Sequence, residues 1–350
     1  MLTKVKASAQ RVRKYGAPSE ARAVKNAVRW VWSKYALRQH VVSYKVQGST
    51  MFLDTRNPGV SKVIAVYGIR ERAQTELIKR VLRKGQVVLD IGANIGYYAL
   101  MEAAIVSKEG KVYAFEPFPR TFELLERSAK ANNYGDILEM HNVAVGDVPG
   151  MTRLYLTEKD NTHITLDPDQ YSTASEVVGR NAEGWDYVDV ESITMDDFMR
   201  DKEQVDVIRM DVEGFEWKII DGMMETLERA RAGLKIFIEV HPPYREDDNQ
   251  FAPRWEKLSA MGFVASEVIS ARKQPHPYFS ELGYQPQETI FADGYYRGVY
   301  TNVSSEDLPT LVSHWPPKIV RYIVLEKRES KGLERELVTS EGVSAVKAGV

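Results

Sequence analysis

Short apolar runs alternate with amphipathic segments along the middle of this chain, and the alternation predicts strands and helices in turn. Residues 87–91 form an apolar run rich in β-branched side chains, which is typical of a strand buried on both faces. Comparable runs occupy residues 111–116 and 137–147, and further runs begin at Val205 and Leu234. Because helical periodicity separates most of these runs, we expect βαβ units in a parallel sheet with right-handed crossovers.

Three other segments add to this pattern or interrupt it. Residues 151–157 predict an added strand, and the sequence TIFAD at 289–293 predicts an antiparallel strand pair that completes the sheet. Residues 158–186 form a polar stretch with Gly, Asp, Asn and Ser and predict a mobile insertion. The sequence therefore predicts an α/β fold with one large irregular segment.

Composition places the chain among ordinary globular proteins. Its 350 residues are 43% hydrophobic and 27% charged, which suffices for a main domain over 61–300 flanked by two extensions. The extension over 1–60 is expected to be helical and basic, and the one over 301–350 partly disordered. Because no apolar run reaches the roughly 18 residues of a membrane span and no secretory signal is evident, we expect a cytoplasmic protein. The absence of cysteine excludes disulfides, thiolate metal sites and cysteine nucleophiles.

Positive charge is concentrated at the beginning of the chain. Residues 1–40 carry ten Lys or Arg against one acid, Glu20, although the whole chain has 47 basic and 49 acidic residues. Residues 20–38 predict a basic amphipathic helix with an apolar stripe formed by Val24, Ala27, Val28, Val31 and Tyr35. We favour docking of this stripe on the main domain. The alternative is peripheral contact of residues 20–38 with the anionic inner face of a membrane.

The turn after the first buried strand is built for close contact. In the segment VVLDIGANIGYYAL, Gly92 and Gly96 allow a close backbone approach or a positive φ. The following helix is expected to begin near Ile95, with Asn94 capping its N-terminus. The turn therefore predicts a ligand site at the carboxyl end of the strand.

The charges around this turn indicate which ligand it binds. The spacing Asp90-x-Gly92-x-x-x-Gly96 differs from the G-x-G-x-x-G pattern of dinucleotide folds, because its acid would repel a phosphate and attract a cation. Glu116 ends the second strand, where a carboxylate can accept hydrogen bonds from ribose hydroxyls. Together they predict S-adenosylmethionine, an adenosine with a cationic tail. A NAD-dependent oxidoreductase and a non-catalytic scaffold are the alternatives.

Six motifs give the chain a family resemblance. They are VVLDIGANIGYY, VYAFEPFP, NVAVGDVPG, ITMDDF, IRMDVEGFEWKIIDG and FIEVHP. Their order resembles that of FkbM-type S-adenosylmethionine-dependent methyltransferases over roughly residues 70 to 245. The resemblance implies a doubly wound, mostly parallel seven-stranded sheet of the Rossmann-like methyltransferase fold. It also implies O-methylation of hydroxyls, often on sugars of glycolipids, polysaccharides or natural products.

The same resemblance assigns residues to the cofactor. It places Asp90, Gly92, Ala93, Asn94, Gly96, Tyr97 and Glu116 at cofactor positions, with Phe118, Asn142 and Ala144 near the adenine. The acceptor it implies is a hydroxyl-bearing small molecule or glycan. A nucleic-acid acceptor is not expected, because the main domain is acidic and phosphate binding needs a basic face.

Four polar residues follow the fourth and fifth predicted strands and are our candidates for catalysis. Asp211 and Glu213 leave the fourth strand, and Glu239 and His241 leave the fifth. Because residues two apart in an extended chain share a side, each pair is expected to face the cleft at the carboxyl ends of the strands. One of the four would act as the base that removes the hydroxyl proton.

Each of these residues also has a structural alternative. Glu213 is suited to stabilise the N-terminus of the helix at GFEWKII, and His241 to bond backbone before two prolines. Three carboxylates and a histidine also suit magnesium, but their spacing is not diagnostic, and no metal is predicted. The sequence HPPY at 241–244 resembles a loop of amino-methyltransferases, which makes N-methyl transfer an alternative, but that loop belongs after the fourth strand.

Overall fold

The computed structural model describes most of the chain between residues 20 and 329. The described residues are 20–57, 59–156, 164–165, 187–241, 250–271, 277–292, 295–313 and 319–329. The predicted insertion at 158–186, apart from 164–165, lies outside them. So do residues 242–244 of the HPPY sequence and the last part of the predicted C-terminal extension.

Helices and strands alternate through the main domain as the apolar pattern predicts. The strands are β1 (Val41–Val46), β2 (Ser49–Asp54), β3 (Val87–Ile91), β4 (Lys111–Phe115), β5 (Leu138–His141), β6 (Ala144–Val145), β7 (Gly150–Leu156), β8 (Ile164–Thr165), β9 (Tyr187–Ile193), β10 (Val207–Met210), β11 (Lys235–Glu239), β12 (Phe263–Ser270), β13 (Glu288–Ala292), β14 (Tyr295–Tyr300) and β15 (Val320–Lys327). The helices are α1 (Glu20–Val31), α2 (Val60–Tyr67), α3 (Arg72–Val81), α4 (Tyr97–Val106), α5 (Pro119–Ala131), α6 (Met195–Met199), α7 (Glu216–Asp221), α8 (Met224–Arg229), α9 (Phe251–Ala260), α10 (Pro277–Glu281) and α11 (Asp307–Val312). A π-helical turn, Trp32–Ala36, continues α1, and a 3-10 turn, Ser107–Glu109, follows α4.

One large sheet organises the main domain. Its strand order is β13-β14-β12-β15-β11-β10-β3-β4-β5. The five strands from β11 to β5 run parallel, and the remaining four pair in antiparallel fashion. The sheet thus has nine strands rather than the expected seven, because the predicted antiparallel pair, β13 and β14, extends its edge.

Alternate residues of the central strands enter different cores on the two faces of this sheet. Val88 and Val207 belong to one apolar core, whereas Leu89 and Ile208 belong to the other. Helices cover both faces, so the predicted doubly wound architecture is confirmed. Side chains two positions apart on a strand share a face, so Asp90 lies on the same face of the sheet as Val88. Its register partner on β10, Arg209, lies on that face too.

The described parts of the two predicted extensions both contain strands. β15 lies between β11 and β12, so residues 320–327 form an inner strand of the sheet. The extension over 1–60 is not helical throughout, since β1 and β2 form an antiparallel hairpin within it. The segment 137–147 is likewise two strands, β5 in the large sheet and β6 in a separate four-stranded sheet with β7, β8 and β9.

The predicted docking face of α1 is wrong. The helix packs on the main domain through Ala23 and Trp30, which are buried. Val28 and Tyr35, two residues of the predicted stripe, are 64% and 71% exposed. The helix is therefore rotated relative to the prediction, and most of its apolar stripe faces outward.

The turn after β3 also differs in detail from the prediction. Helix α4 begins at Tyr97 rather than near Ile95, and its N-cap residue is Gly96, which has a φ of 87°. The Asn94 side chain accepts a hydrogen bond from the next backbone amide, that of Ile95, at 2.8 Å and does not cap the helix. Gly92 has a φ of 82°, and a Cβ there would lie 2.1 Å from the backbone oxygen of Asp211.

We predict that Gly92→Ala destabilises the fold more than Gly48→Ala. Both glycines have a positive φ, but a Cβ at Gly48 would meet no atom within 4 Å. Backbone strain alone should lower the free energy of unfolding of Gly48→Ala by about 1 kcal/mol. The added clash should bring the loss in Gly92→Ala to about 2 to 4 kcal/mol. Urea denaturation measures both, and equal losses would contradict the close approach of β3 and β10.

Candidate active site

A cavity opens at the carboxyl ends of β3, β4 and β10. It encloses roughly 240 Å³. Its lining includes Gly92 and Asn94 after β3, Glu116 and Pro117 after β4, the segment 143–145, and Asp211, Val212, Glu213 and Phe215 after β10, together with Gly59, Val60, Arg70, Ile91, Phe115, Leu154 and Ile219. In open α/β sheets ligands bind at the carboxyl ends of the strands, at the point where the strand order reverses. Here that point lies between β3 and β10.

Glu116 holds the walls of this cavity together. Its carboxylate accepts hydrogen bonds from the backbone amide of Asn94 at 2.8 Å and from that of Phe118 at 2.9 Å. The Thr121 hydroxyl donates a third bond at 2.8 Å. Burial raises the pKa of Glu116, although these hydrogen bonds oppose the rise. The carboxylate therefore fixes the turns after β3 and β4 while it borders the cavity.

The residues assigned to the cofactor by resemblance divide into two groups. Gly92, Asn94, Glu116 and Ala144 line the cavity. Asp90, Ala93, Gly96, Tyr97, Phe118 and Asn142 are not among its lining residues. Within the second group, Phe118 and Asn142 form hydrogen bonds with Glu116 of the first group.

Tyr97 and Asn142, both in the second group, form contacts outside the cavity. The Tyr97 hydroxyl is 3.2 Å from that of Thr75 inside the core. The Asn142 side-chain amide donates to the backbone oxygens of Glu116 and Pro117, at 2.8 and 3.0 Å. Asn142 thus holds the loop after β4 rather than facing the cavity.

Asp90 has a different partner from the one that the sequence suggests. It is completely buried, and its Oδ1 accepts a hydrogen bond from Arg209 Nη1 at 2.9 Å. The other guanidinium nitrogen, Nη2, donates to Asp211 Oδ2 at 2.8 Å. Direct contact of Asp90 with a cationic ligand is therefore corrected to an indirect role, in which Asp90 positions Arg209 and Arg209 positions Asp211.

A ring and a second ion pair enclose this buried guanidinium. Arg209 is 2% exposed and lies 4.1 Å from the centroid of the Tyr98 ring. The Tyr98 hydroxyl donates to Glu71 at 3.1 Å, and Arg70 donates to the same carboxylate at 2.7 Å. Arg70 Nη2 is also 3.8 Å from Asp211 Oδ2. Asp211 thus borders the cavity between two guanidinium groups.

All four predicted catalytic residues meet beside the cavity. Asp211, Glu239 and His241 each offer one polar atom within 4.8 Å of the others. His241 Nε2 is 3.2 Å from Glu213 Oε2 and 4.0 Å from Glu239 Oε1. Asp211 and Glu213 line the cavity itself. The predicted convergence of the two strand ends is therefore present in the structure.

The partners of His241 and Glu239 were not predicted. His241 Nδ1 lies within hydrogen-bond distance of Glu216 Oε1, and Glu216 is completely buried at the start of α7. Arg321 on β15 pairs with Glu239 Oε1. The N-cap of α7 is Phe215 without a side-chain bond, so Glu213 does not cap this helix. Instead, Glu213 contacts His241.

Burial and charge shift the acid–base properties of this cluster. Burial and the nearby Asp211 raise the pKa of Glu239 to about 8, against the opposing effect of Arg321. Burial acts to lower the pKa of His241, but Glu216 and Glu213 outweigh it and raise that pKa well above its ordinary value. Proton transfer at this site is therefore governed by the cluster rather than by single residues.

The middle of the chain matches the family model of the methyltransferase FkbM domain over residues 90–265. The chain belongs to the FkbM methyltransferase family. It is a methyltransferase whose cofactor is S-adenosylmethionine. Membership of this family excludes the alternative that the chain is a NAD-dependent oxidoreductase.

Several known proteins are similar to this FkbM-family chain. Hexuronic acid methyltransferase AglP of Haloferax volcanii is 26% identical over 189 residues, which are 52% of this chain and 69% of that protein. Protein-L-isoaspartate O-methyltransferase 1 of Archaeoglobus fulgidus is 39% identical over 66 residues, which are 19% of this chain and 29% of that protein. The crystal structure of methyltransferase FkbM from Methylobacillus flagellatus shares 14% identity and a TM-score of 0.35, covering 69% of this chain and 52% of that one.

The cavity fits the cofactor of the family. Glu116 supplies a buried acceptor for hydroxyl donors, and Ala144 and Leu154 supply apolar surface for a flat base. Among the lining residues, the three carboxylates of Glu116, Asp211 and Glu213 outnumber the one guanidinium of Arg70, and this excess of negative charge complements a sulfonium or ammonium group.

Among the described helices, none is long and apolar enough to cross a membrane.

We predict that Arg209→Met strongly destabilises the protein. The substitution leaves Asp90 and Asp211 without the guanidinium that pairs with both, and breaking a buried pair in this way typically costs about 3 to 5 kcal/mol. Lys84→Met is the control, because it removes the exposed pair with Glu109 and should leave stability nearly unchanged. Thermal and urea unfolding measure both variants. Equal stabilities would show that the Arg209 pairs do not hold the site together.

Proposed function

We propose that this protein transfers the methyl group of S-adenosylmethionine to a hydroxyl oxygen of a sugar-containing acceptor. The observation that carries the proposal is the convergence of Asp211, Glu213, Glu239 and His241 at one end of the cavity that Glu116 borders. A poor nucleophile such as a hydroxyl profits from a base within hydrogen-bond reach. This arrangement supplies carboxylates where such a base is needed.

The cofactor would be held by the residues of the turns after β3 and β4. Glu116 accepts hydrogen bonds from the ribose hydroxyls, Gly92 and Asn94 form the adjoining wall, and Ala144 contributes apolar surface toward the adenine. When bound, S-adenosylmethionine supplies an electrophilic methyl group on a positively charged sulfur. The carboxylates of Asp211 and Glu213 favour this positive charge in the cavity.

We assign the base to Glu213. Its side chain borders the cavity, and its Oε2 lies 3.2 Å from His241 Nε2. His241 is itself held by the buried Glu216, so it acts as a positioning residue for Glu213. Glu213 accepts the hydroxyl proton, and a base in this position typically adds about 10² to 10⁴-fold to the rate. Alignment of the acceptor in the cavity supplies the rest.

The acceptor class is supported by one relative. AglP is named as a hexuronic acid methyltransferase, and a hexuronic acid offers both hydroxyls and a carboxylate. A carboxylate is ionised at neutral pH and needs no base, whereas a hydroxyl does. The cluster around Glu213 therefore favours a hydroxyl of the sugar. Methyl ethers resist alkali and methyl esters do not, so alkaline treatment of the product separates the two.

We predict that two conservative variants affect different quantities, one mainly turnover and the other mainly cofactor affinity. Glu213→Gln should lower turnover by about 10² to 10⁴-fold, because it removes the proton acceptor. It should weaken the affinity for S-adenosylmethionine less than Glu116→Gln does, because Asp211 still supplies negative charge in the cavity. Glu116→Gln should weaken that affinity by about 1.5 to 3 kcal/mol, because it removes a charged acceptor of ribose hydrogen bonds. Calorimetry gives the affinities, and methyl transfer from labelled cofactor to hexose and hexuronate glycosides gives turnover.

The exposed Glu203→Gln is the control for both measurements and should match the unaltered protein. Full turnover in Glu213→Gln would remove the base from this residue. An alkali-labile product would replace hydroxyl methylation by ester formation. Unchanged cofactor affinity in Glu116→Gln would move the ribose contact elsewhere.

A further inference from the structure

The side chains at the acceptor end of the cavity match the donor set of a metal ion. Asp211, Glu239 and His241 present two carboxylates and one imidazole whose ligand atoms lie within 4.8 Å of one another. Ligands bound to one divalent ion at about 2.0 to 2.6 Å lie roughly 3 to 5 Å apart. The three groups therefore need little movement to reach a common ion.

The orientation of His241 is that of a metal ligand. Its Nδ1 faces Glu216, a completely buried carboxylate that also accepts the backbone N–H of Gly214 at 3.1 Å. In metal sites the ligating histidine commonly donates its second N–H to such a carboxylate, which fixes the tautomer and the ring plane. The arrangement directs Nε2 of His241 toward Glu213 and Glu239.

Glu239 supplies an independent observation. It is 2% exposed, and its Oε1 pairs with Arg321. Its Oε2 is buried and has no hydrogen-bond partner among the described residues. A buried carboxylate oxygen without a partner is costly, and such atoms in native structures commonly mark an ion or a water.

We propose that Asp211, Glu239 and His241 bind one divalent metal ion of the Mn²⁺ type. Carboxylate oxygens with a single imidazole nitrogen suit such an ion, and Arg209 and Arg321 hold the two carboxylates in place as Glu216 holds the histidine. The competing arrangement is a protonated His241 that pairs with Glu213 and Glu216. The two differ at Nε2, which carries either the metal or a proton.

The role of the ion rests on the function proposed above. A metal-bound hydroxyl loses its proton more readily, because the ion stabilises the negative charge on oxygen. Glu213 accepts that proton, and the oxygen forms a bond to the methyl carbon. The carbon–sulfur bond breaks at the same time, and its electron pair stays on sulfur.

Manganese binding tests the site without methyl transfer. The full chain, freed of metal by a chelator, is titrated with Mn²⁺ in the absence of cofactor and acceptor, and free Mn²⁺ is followed by electron paramagnetic resonance. We expect one saturable site that His241→Ala and Glu239→Gln each weaken by about tenfold or more, whereas the exposed Glu203→Gln leaves it unchanged.

The loaded, unaltered protein should also show coupling of the electron spin to one imidazole nitrogen. This readout does not depend on whether a variant folds. Absence of saturable binding, or saturable binding without nitrogen coupling, would overturn the metal site. Methyl transfer that persists after metal removal would overturn the role of the ion in the reaction and keep the proposed function. Bound Mn²⁺ without any methyl transfer would keep the metal site and overturn the proposed function.

The outward face of α1 carries a second inference from a different observation. Six of the ten large hydrophobic residues that are exposed in the described part of the chain lie within 24–37: Val24, Val28, Val31, Trp32, Tyr35 and Leu37. We call these six residues the α1 face. Their exposed fractions run from 50% to 71%. Contiguous apolar exposure of this kind marks an interaction surface.

The charge around the α1 face indicates its partner. Lys25, Lys34 and Arg38 lie in the same segment, and residues 1–19 add five Lys or Arg without an acid. Arg29, by contrast, donates to the backbone oxygen of Ser43 at 2.8 Å and lies over the ring of Tyr44. Basic residues beside exposed Trp and Tyr are typical of helices that lie on anionic bilayers.

We further propose that the α1 face binds the surface of an anionic lipid bilayer, with α1 lying in the plane of the interface. The full chain should sediment with phosphatidylcholine vesicles that contain phosphatidylglycerol, and not with vesicles of phosphatidylcholine alone. High salt should release it, because exposed charges are screened.

Two double variants decide whether the α1 face is responsible. Val28→Ser with Trp32→Ser should abolish sedimentation, whereas the control Val148→Ser with Met151→Ser, which changes exposed apolar residues elsewhere, should leave it intact. No binding to anionic vesicles, or equal binding of the two double variants, would overturn the proposal. Self-association through the α1 face would likewise overturn it, and light scattering in the absence of lipid detects that outcome.

Discussion

One buried guanidinium connects the parts of this site. Arg209 lies between Asp90 on β3 and Asp211 after β10, and it donates a hydrogen bond to each. It also donates to the backbone oxygen of Gly92 at 3.2 Å, at the turn that borders the cavity. Because β3 and β10 are neighbours at the point where the order of the strands reverses, this one side chain fixes the turn after β3 relative to the carboxylates that we propose for catalysis.

The other charges of the site follow from that arrangement. A buried charge is tolerated only with partners, so each carboxylate of the cluster after β10 and β11 contacts a cation or a histidine, whereas Glu116 accepts backbone and hydroxyl hydrogen bonds. Asp211 has Arg209 and Arg70, Glu239 has Arg321, and Glu216 faces His241. These contacts hold the side chains that we propose for catalysis in place before any acceptor arrives, which is the condition for catalysis by alignment. The same cluster contains both the proposed base and the proposed metal ligands.

The sequence predicted the elements and the strand ends better than the contacts between strands. Apolar runs identified β3 and β4, and the alternation of side chains predicted that Asp211 and His241 would share a cleft. The partner of Asp90 depends on the lateral register between β3 and β10, which periodicity along one strand does not contain. Arg209 in an otherwise apolar strand was the available signal, since a charge is rarely buried without a partner. The rotation of α1 was also missed. Spacing along the helix identifies an apolar stripe but does not show which side of the helix contacts the main domain.

We expect the cavity between the turns after β3 and β4 and the end of β10 to bind S-adenosylmethionine. Calorimetric titration of the full chain with S-adenosylmethionine, and with NAD in parallel, measures this binding. We predict one saturable site for S-adenosylmethionine and none for NAD, because the three carboxylates of the cavity lining, those of Glu116, Asp211 and Glu213, outnumber its one guanidinium, that of Arg70, and disfavour a pyrophosphate. Folded protein that binds NAD, or that fails to bind S-adenosylmethionine, would contradict it.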